Sequence, residues 1–195
     1  KNKLKKEFKM QTIQPQMTSR LDACKYLRDI FNAQNSQALK KAFDALGSSI
    51  TISEEELEVA FNRYFVGPME PIADPFASVY LDNPDVVMSQ STLQVRELYE
   101  TMGFTYPLKN VIPEDHLGVE LDAYYQLLYL EEKKEITYLS ELRHYFLHEH
   151  MNLWVPRFIE RALSESEHDS KAITFILLQL KSLLIRETTT QGVTA

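Results

Sequence analysis

"DHLGVELDAYYQLLYLEEK", residues 115 to 133, carries Leu117, Leu121, Tyr124 and Leu128 at spacings of four, three and four, the repeat of one helical face. No other stretch of the chain has so clear a period, and it predicts a long amphipathic helix over 115–133. The residues that lead into it, "IPEDHLG" (112–118), read in two ways. Pro113 at the first helical position, with Glu114 and Asp115 in the opening turn, is what the positive end of a helix dipole favours. On the helical wheel, however, His116, Glu120, Ala123 and Leu127 form a row along the border of the apolar stripe, with His116 and Glu120 one turn apart. Such a row can line a groove, so the stretch is a helix start, a site, or both.

Outward from this segment almost everything with a period is helical. Ser19 is a candidate N-cap with Asp22 three residues on, followed by Leu21, Cys24, Leu27, Ile30 and Phe31 on one face. A second helix begins at Ser36 and stops at Gly47. "SEEELEVAFNRYF" opens with a capping box, Ser53 and Glu56, and points Leu57, Ala60, Phe61, Tyr64 and Phe65 inward. Val95, Leu98, Tyr99 and Met102 mark a further helix closed by Gly103. Leu139, Leu142, Phe146 and Leu153 mark another. Pro156 fits the first turn of the next one, and Asp169 or Ser170 can cap the last, with Ile173, Ile176, Leu177, Leu180 and Leu184 inside.

Residues 66–90 break the pattern with four prolines and no helical period, so a long ordered connection is expected there, with "SVYL" as a short extended piece. No strand alternation and no internal repeat appears. The fold expected is all-α: a single globular domain of about nine helices in two packed lobes joined by a hinge. Its expected divisions are a flexible segment over 1–18, an N-lobe over about 19–103, a hinge over 104–114, a C-lobe over about 115–187 and a frayed tail over 188–195.

A chain of 195 residues with 44% hydrophobic content can bury a full core. Its net charge of −7, without a basic block, argues against nucleic acid and better suits a cationic partner. Cys24 is the only cysteine, which excludes an intrachain disulfide and multi-cysteine metal sites and fits a reducing cytoplasm. No secretory signal is expected from the opening "KNKLKKEFKM", and the greasy run from Ala172 is too short and too polar for a membrane span. The five glycines are too scattered to cradle a phosphate, which removes dinucleotide and P-loop folds.

Two sets of residues carry possible chemistry. Glu141 with His144 and Glu165 with His168 make two ExxH pairs, the element of di-iron bundles, but the second lies in the polar turn "SESEHDS". His144 and His148 with nearby acids can also hold zinc, although "HEHMN" is not HExxH. This gives one alternative, a helical-bundle metalloprotein enzyme; a second alternative is a general protein-binding scaffold. The aromatic and proline residues Tyr64, Phe65, Pro68, Pro71, Pro75, Phe76 and Tyr80 either pack the long connection onto the helices or form a groove for an extended peptide.

The order of five stretches is more specific than any one of them: "FNRYFVGP" (61–68), "DPFASVYLD" (74–82), "STLQVRELYETMG" (91–103), "PEDHLGVEL" (113–121) and "HMNLWVPRF" (150–158). Together they resemble the TorD/DmsD family of redox-enzyme maturation chaperones, over roughly residues 20–187 and most of all the DmsD branch. The resemblance implies an all-helical cytoplasmic protein with no catalytic turnover and no cofactor of its own. It implies binding of the twin-arginine signal peptide of a molybdoenzyme precursor, held until folding and molybdenum cofactor insertion are complete before Tat export. The family's peptide-binding region matches Tyr64, Phe65, Pro75, Phe76, Tyr80, Pro113, Asp115 and His116. Where DmsD-like members often have tryptophans this chain has Tyr64, Phe76 and Tyr80, and Ser89 replaces a glycine. Asp115, assisted by Glu120, is the expected carboxylate for the peptide's guanidinium groups, and the aromatics are expected to take its apolar stretch. A hinge over 104–114 would allow a monomer or a domain-swapped dimer.

Overall fold

In the computed structural model, residues 19–82, 90–105, 111–164 and 170–189 are described. They form α1 (Arg20–Phe31), α2 (Ser36–Ala45), α3 (Glu54–Phe65), α4 (Ala77–Leu81), α5 (Gln90–Met102), α6 (Leu117–Lys134), α7 (Leu139–Phe146), α8 (Asn152–Ser164) and α9 (Lys171–Thr189). A π turn, Leu147–Met151, joins α7 to α8 without a break, so the nine α segments make eight separate rods among the described residues. No strand occurs among them beyond a single bridge between Phe76 and His116. The fold is all-α, and no described helix is long and apolar enough to cross a membrane.

Local chemistry accounts for most helix ends. The Ser19 hydroxyl accepts from the Asp22 N–H, Asn35 caps α2 through Ala38 N–H, and Ser53 with Glu56 forms the full capping box of α3. Ser170 stands before α9, with its hydroxyl accepting from Ile173 N–H. The helix runs on to Thr189, past the point where the tail was expected to fray. The rest of the expected tail, the segment 1–18, Ser89, Glu165 and His168 lie outside the described residues.

Three expectations are corrected. The long helix starts at Leu117, with His116 as its N-cap, and not at Pro113; Glu114 and Asp115 sit in a turn ahead of it because Asp115 is engaged elsewhere, as shown below. "SVYL" is helix α4, not an extended piece. Pro156 does not begin a helix but lies inside the rod that runs from α7 through α8. The carbonyl that a proline crowds four residues back is that of Asn152, where the backbone leaves the π turn, and this widened turn accommodates the ring.

α6 is the central rod. It packs along α1 and α7, while α9 closes over α1, α3 and α8. Gly118 permits the close approach of α1: a Cβ there would stand 2.3 Å from Asn32 Oδ1 and 2.9 Å from the Phe31 carbonyl carbon. Asn32 Nδ2 instead donates to the Gly118 carbonyl at 2.7 Å, and Arg28 pairs with Asp122 at 3.3 Å. The apolar core is one cluster that draws on both expected lobes, from Leu21 to Leu184. The buried Arg143 ties it off, donating to Glu131 at 2.6 Å, to Glu187 at 2.9 Å and to the Tyr124 hydroxyl at 2.7 Å.

The expected hinge is only partly within the described residues, since 106–110 lie outside them. Its described end is fastened. The Tyr99 hydroxyl donates to the Glu114 carbonyl at 3.0 Å, and Arg96 pairs with the Glu114 carboxylate at 2.9 Å.

Candidate functional site

Two distant loops cross at one point. Ala77 N–H donates to the Asp115 carbonyl at 3.0 Å and Leu117 N–H to the Pro75 carbonyl at 2.8 Å, which fixes Phe76 opposite His116. The Asp115 carboxylate accepts from Ser78 N–H at 2.9 Å. Asp115 therefore caps α4 twice, by its carbonyl and by its side chain, from 37 residues further along the chain. This is why a five-residue helix with no local side-chain cap forms at all.

His116 is half-buried, and its ring meets that of Phe76 edge-on at 5.1 Å between centroids. Its Nδ1 accepts from Gly118 N–H at 3.1 Å, so the proton of the neutral ring sits on Nε2. Burial pushes its pKa down to about 4, and the ring is neutral at physiological pH.

One turn into α6, Glu120 is fully buried. Its carboxylate meets His150 Nε2 at 2.6 Å and accepts from the Trp154 indole N–H at 2.9 Å. Burial raises the Glu120 pKa. For His150 burial acts downward, but the charge and hydrogen bond of Glu120, with help from Asp115, outweigh it and raise the pKa. Behind this triad Trp154 stacks on Tyr80 at 5.8 Å, and Tyr80 reaches Phe158 at 6.2 Å and thence Phe65 at 5.5 Å.

All nine expected site residues thus lie along one connected set of contacts, but at different depths. Phe76, His116 and Pro113 are half-buried and reachable. Pro75 is buried at the crossing. Phe65 is a core residue of α3, packed with Phe61, Phe31 and Tyr64, while Tyr64 is largely buried and also lines an open groove beside Val59, Ala60 and Arg63. Tyr80 is 7% exposed, and its hydroxyl has no hydrogen-bond partner among the described residues. Asp115 is 1% exposed and Glu120 0%, each engaged by the protein's own donors. The row His116, Glu120, Ala123, Leu127 is likewise no groove border, since the last three are buried in the core.

Sequence reading missed His150 and Trp154 as partners of Glu120. Their signal was present: they stand four apart in "HMNLW", on one face, opposite a helix with one inward carboxylate. Arg157 was also missed; its guanidinium donates to the Tyr80 carbonyl and anchors the end of α4. Among the described residues no group of three or more His, Cys, Asp or Glu is placed to hold a metal ion, and His144 lies against the Arg143 guanidinium at 3.1 Å.

The profile of the family described as "Nitrate reductase delta subunit" matches residues 32–160. The chain belongs to this family. The match holds the whole crossing, Glu120, His150 and Trp154, and the TorD/DmsD resemblance read from the sequence agrees with it. Among similar proteins, the "Tat proofreading chaperone DmsD" of Salmonella typhi is 31% identical over 60% of this chain and 54% of its own length. The "Probable Tat proofreading chaperone DmsD" of Haemophilus influenzae is 29% identical over 67% of this chain and 60% of its own. The "Chaperone protein TorD" of Aliivibrio salmonicida is 27% identical over 67% of this chain and 63% of its own. The chain therefore spans between half and two thirds of the length of these relatives.

Proposed function

We propose that this member of the nitrate reductase delta subunit family is a cytoplasmic maturation chaperone. It binds the twin-arginine signal peptide of a molybdoenzyme precursor and holds it until folding and molybdenum cofactor insertion are complete, before Tat export. It performs no turnover and carries no cofactor. The observation that carries this reading is that the region matched by the family, 32–160, contains the crossing of 75–78 with 114–117, and that similar proteins are named Tat proofreading chaperones.

In this reading the residues divide by depth. Phe76, His116 and Pro113 touch the peptide. The Nε2–H of neutral His116 is a hydrogen-bond donor suited to a backbone carbonyl of an extended segment. Asp115 and Glu120 act from beneath, Asp115 by holding α4 against the turn and Glu120 by fixing His150 and Trp154. The division into two lobes and a domain-swapped dimer belong to the same proposal, and exchange would require α1 to leave α6.

Titration with a synthetic twin-arginine signal peptide, beside a copy with both arginines changed to lysine, tests it. Lysine keeps the charge but loses the planar fork. Saturable binding of the first, weakened about tenfold or more in the second, is the expected result. No binding to signal peptides from several molybdoenzyme classes would overturn the function and leave the fold standing.

A further inference from the structure

α8 and α9 run antiparallel, since Asn152 at the start of α8 donates to the Thr188 hydroxyl near the end of α9 at 3.2 Å. Between them lies a groove of about 750 Å³ with the buried Ile159 and Leu184 at its base. Its upper walls stay apolar: Leu163 and Ile185 are 39% and 55% exposed, and Leu178, further along the same row of α9, is 50% exposed. An amphipathic helix buries such residues and turns its polar side outward, so apolar side chains on the outer faces of two adjacent helices call for a cover.

The two rows match in height. Pro156, Glu160 and Leu163 stand four, eight and eleven residues on from Asn152, and Ile185, Lys181 and Leu178 stand three, seven and ten back from Thr188. Antiparallel helices of equal rise therefore set Pro156 level with Ile185, Glu160 with Lys181 and Leu163 with Leu178, offset throughout by one residue, or about 1.5 Å. Every rung joins apolar with apolar or acid with base. Within the chain the charged rung is open: Glu160 and Lys181 both line the groove and are exposed, and neither has an ion pair among the described residues.

A two-fold axis running along the groove lays α8 of each copy over α9 of the other without changing height. It repeats all three rungs between copies, each of them twice, which is the self-complementarity an isologous interface requires. Charge selects the same occupant. With a net charge of −7 two copies repel in general, but this groove is lined by one acid and one base and is neutral, so it is a face on which they can meet. We propose that two copies of this chain associate through α8 and α9 as a four-helix arrangement, with apolar rungs on either side of reciprocal Glu160–Lys181 pairs. No lobe is exchanged in this dimer. Arg157, which anchors α4, lies on the next row of α8, so each copy keeps its own crossing.

Sedimentation velocity across a dilution series tests it, on the full chain, on E160K, on K181E and on an equimolar mixture of the two variants. The wild type is expected to pass from dimer to monomer on dilution. Each variant alone sets like charges against each other at both charged rungs and should weaken association about tenfold or more. In the mixture one copy of each kind restores opposite charges at both rungs, so association should return to about the wild-type level, which a misfolded variant could not do. A monomer at every concentration would overturn the proposal, and so would a mixture that associates no more tightly than its parts. A dimer that persists in both variants would overturn it in favour of exchanged lobes. A monomeric wild type whose affinity for the twin-arginine peptide falls in E160K or K181E would assign the groove to the peptide and overturn the dimer.

Discussion

His116 shows how one side chain couples position to protonation. Its Nδ1 caps α6 and its ring packs on Phe76, both in the neutral form. The folded pKa of about 4 lies below the ordinary value of 6.5, so between these values the unfolded chain binds the extra proton. The stabilisation is fully present above pH 6.5 and is lost as pH falls toward 4. Urea unfolding at pH 7 and pH 5 should therefore show the wild type losing about 1–2 kcal/mol more than His116→Asn, which keeps a cap acceptor but does not titrate. Equal losses would remove this role from His116. The sequence flagged His116 by its place before an apolar run, but its neutrality follows from burial against Phe76, forty residues away in the chain.

At the scale of elements, α4 is the piece whose existence is decided from outside. Five residues bury too little and nucleate too poorly to form a helix alone. The Asp115 carboxylate satisfies Ser78 N–H in a buried setting, so Asp115→Ala should cost about 1–3 kcal/mol in urea unfolding. Asp115→Asn, which keeps an acceptor oxygen, should cost clearly less. Equal costs for the two would show that the cap bond is not what holds α4. The same scale explains why α6 starts two residues past the expected Asp115 and four past Pro113. "PEDH" satisfies the rules for a helix start, but its aspartate is occupied in capping another helix, and the chain cannot both extend to α4 and wind into α6. Ser53 and Glu56 met no such competition, and their capping box formed as the sequence predicts.

At the scale of the molecule, the contact of α1 with α6 decides whether two lobes behave as one body. Gly118 lies at its closest point, and Gly118→Ala would drive a methyl group into Asn32 and the Phe31 backbone. The expected cost is about 1–3 kcal/mol, within a single unfolding transition seen alike by far-ultraviolet circular dichroism and by Trp154 fluorescence. Separate transitions for the two probes would show lobes that unfold independently, and no loss of stability would show that α1 shifts freely on α6. Trp154 is a useful reporter because it is fully buried and bonded to Glu120, at the meeting point of α4, α6 and α8.

By itself the sequence determined the all-α class, most helix faces and caps, and the family, because each is written in local spacing: three and four residues between apolar positions, a serine three residues before a glutamate, five motifs in order. It also named the segments that meet at the site. Only the tertiary structure decided depth. Whether a carboxylate faces solvent or the core depends on what packs over it, and that information lies in residues far along the chain. Asp115 and Glu120 look like ligands for a cation in the sequence, yet Ser78 N–H, His150 and Trp154 reach them first.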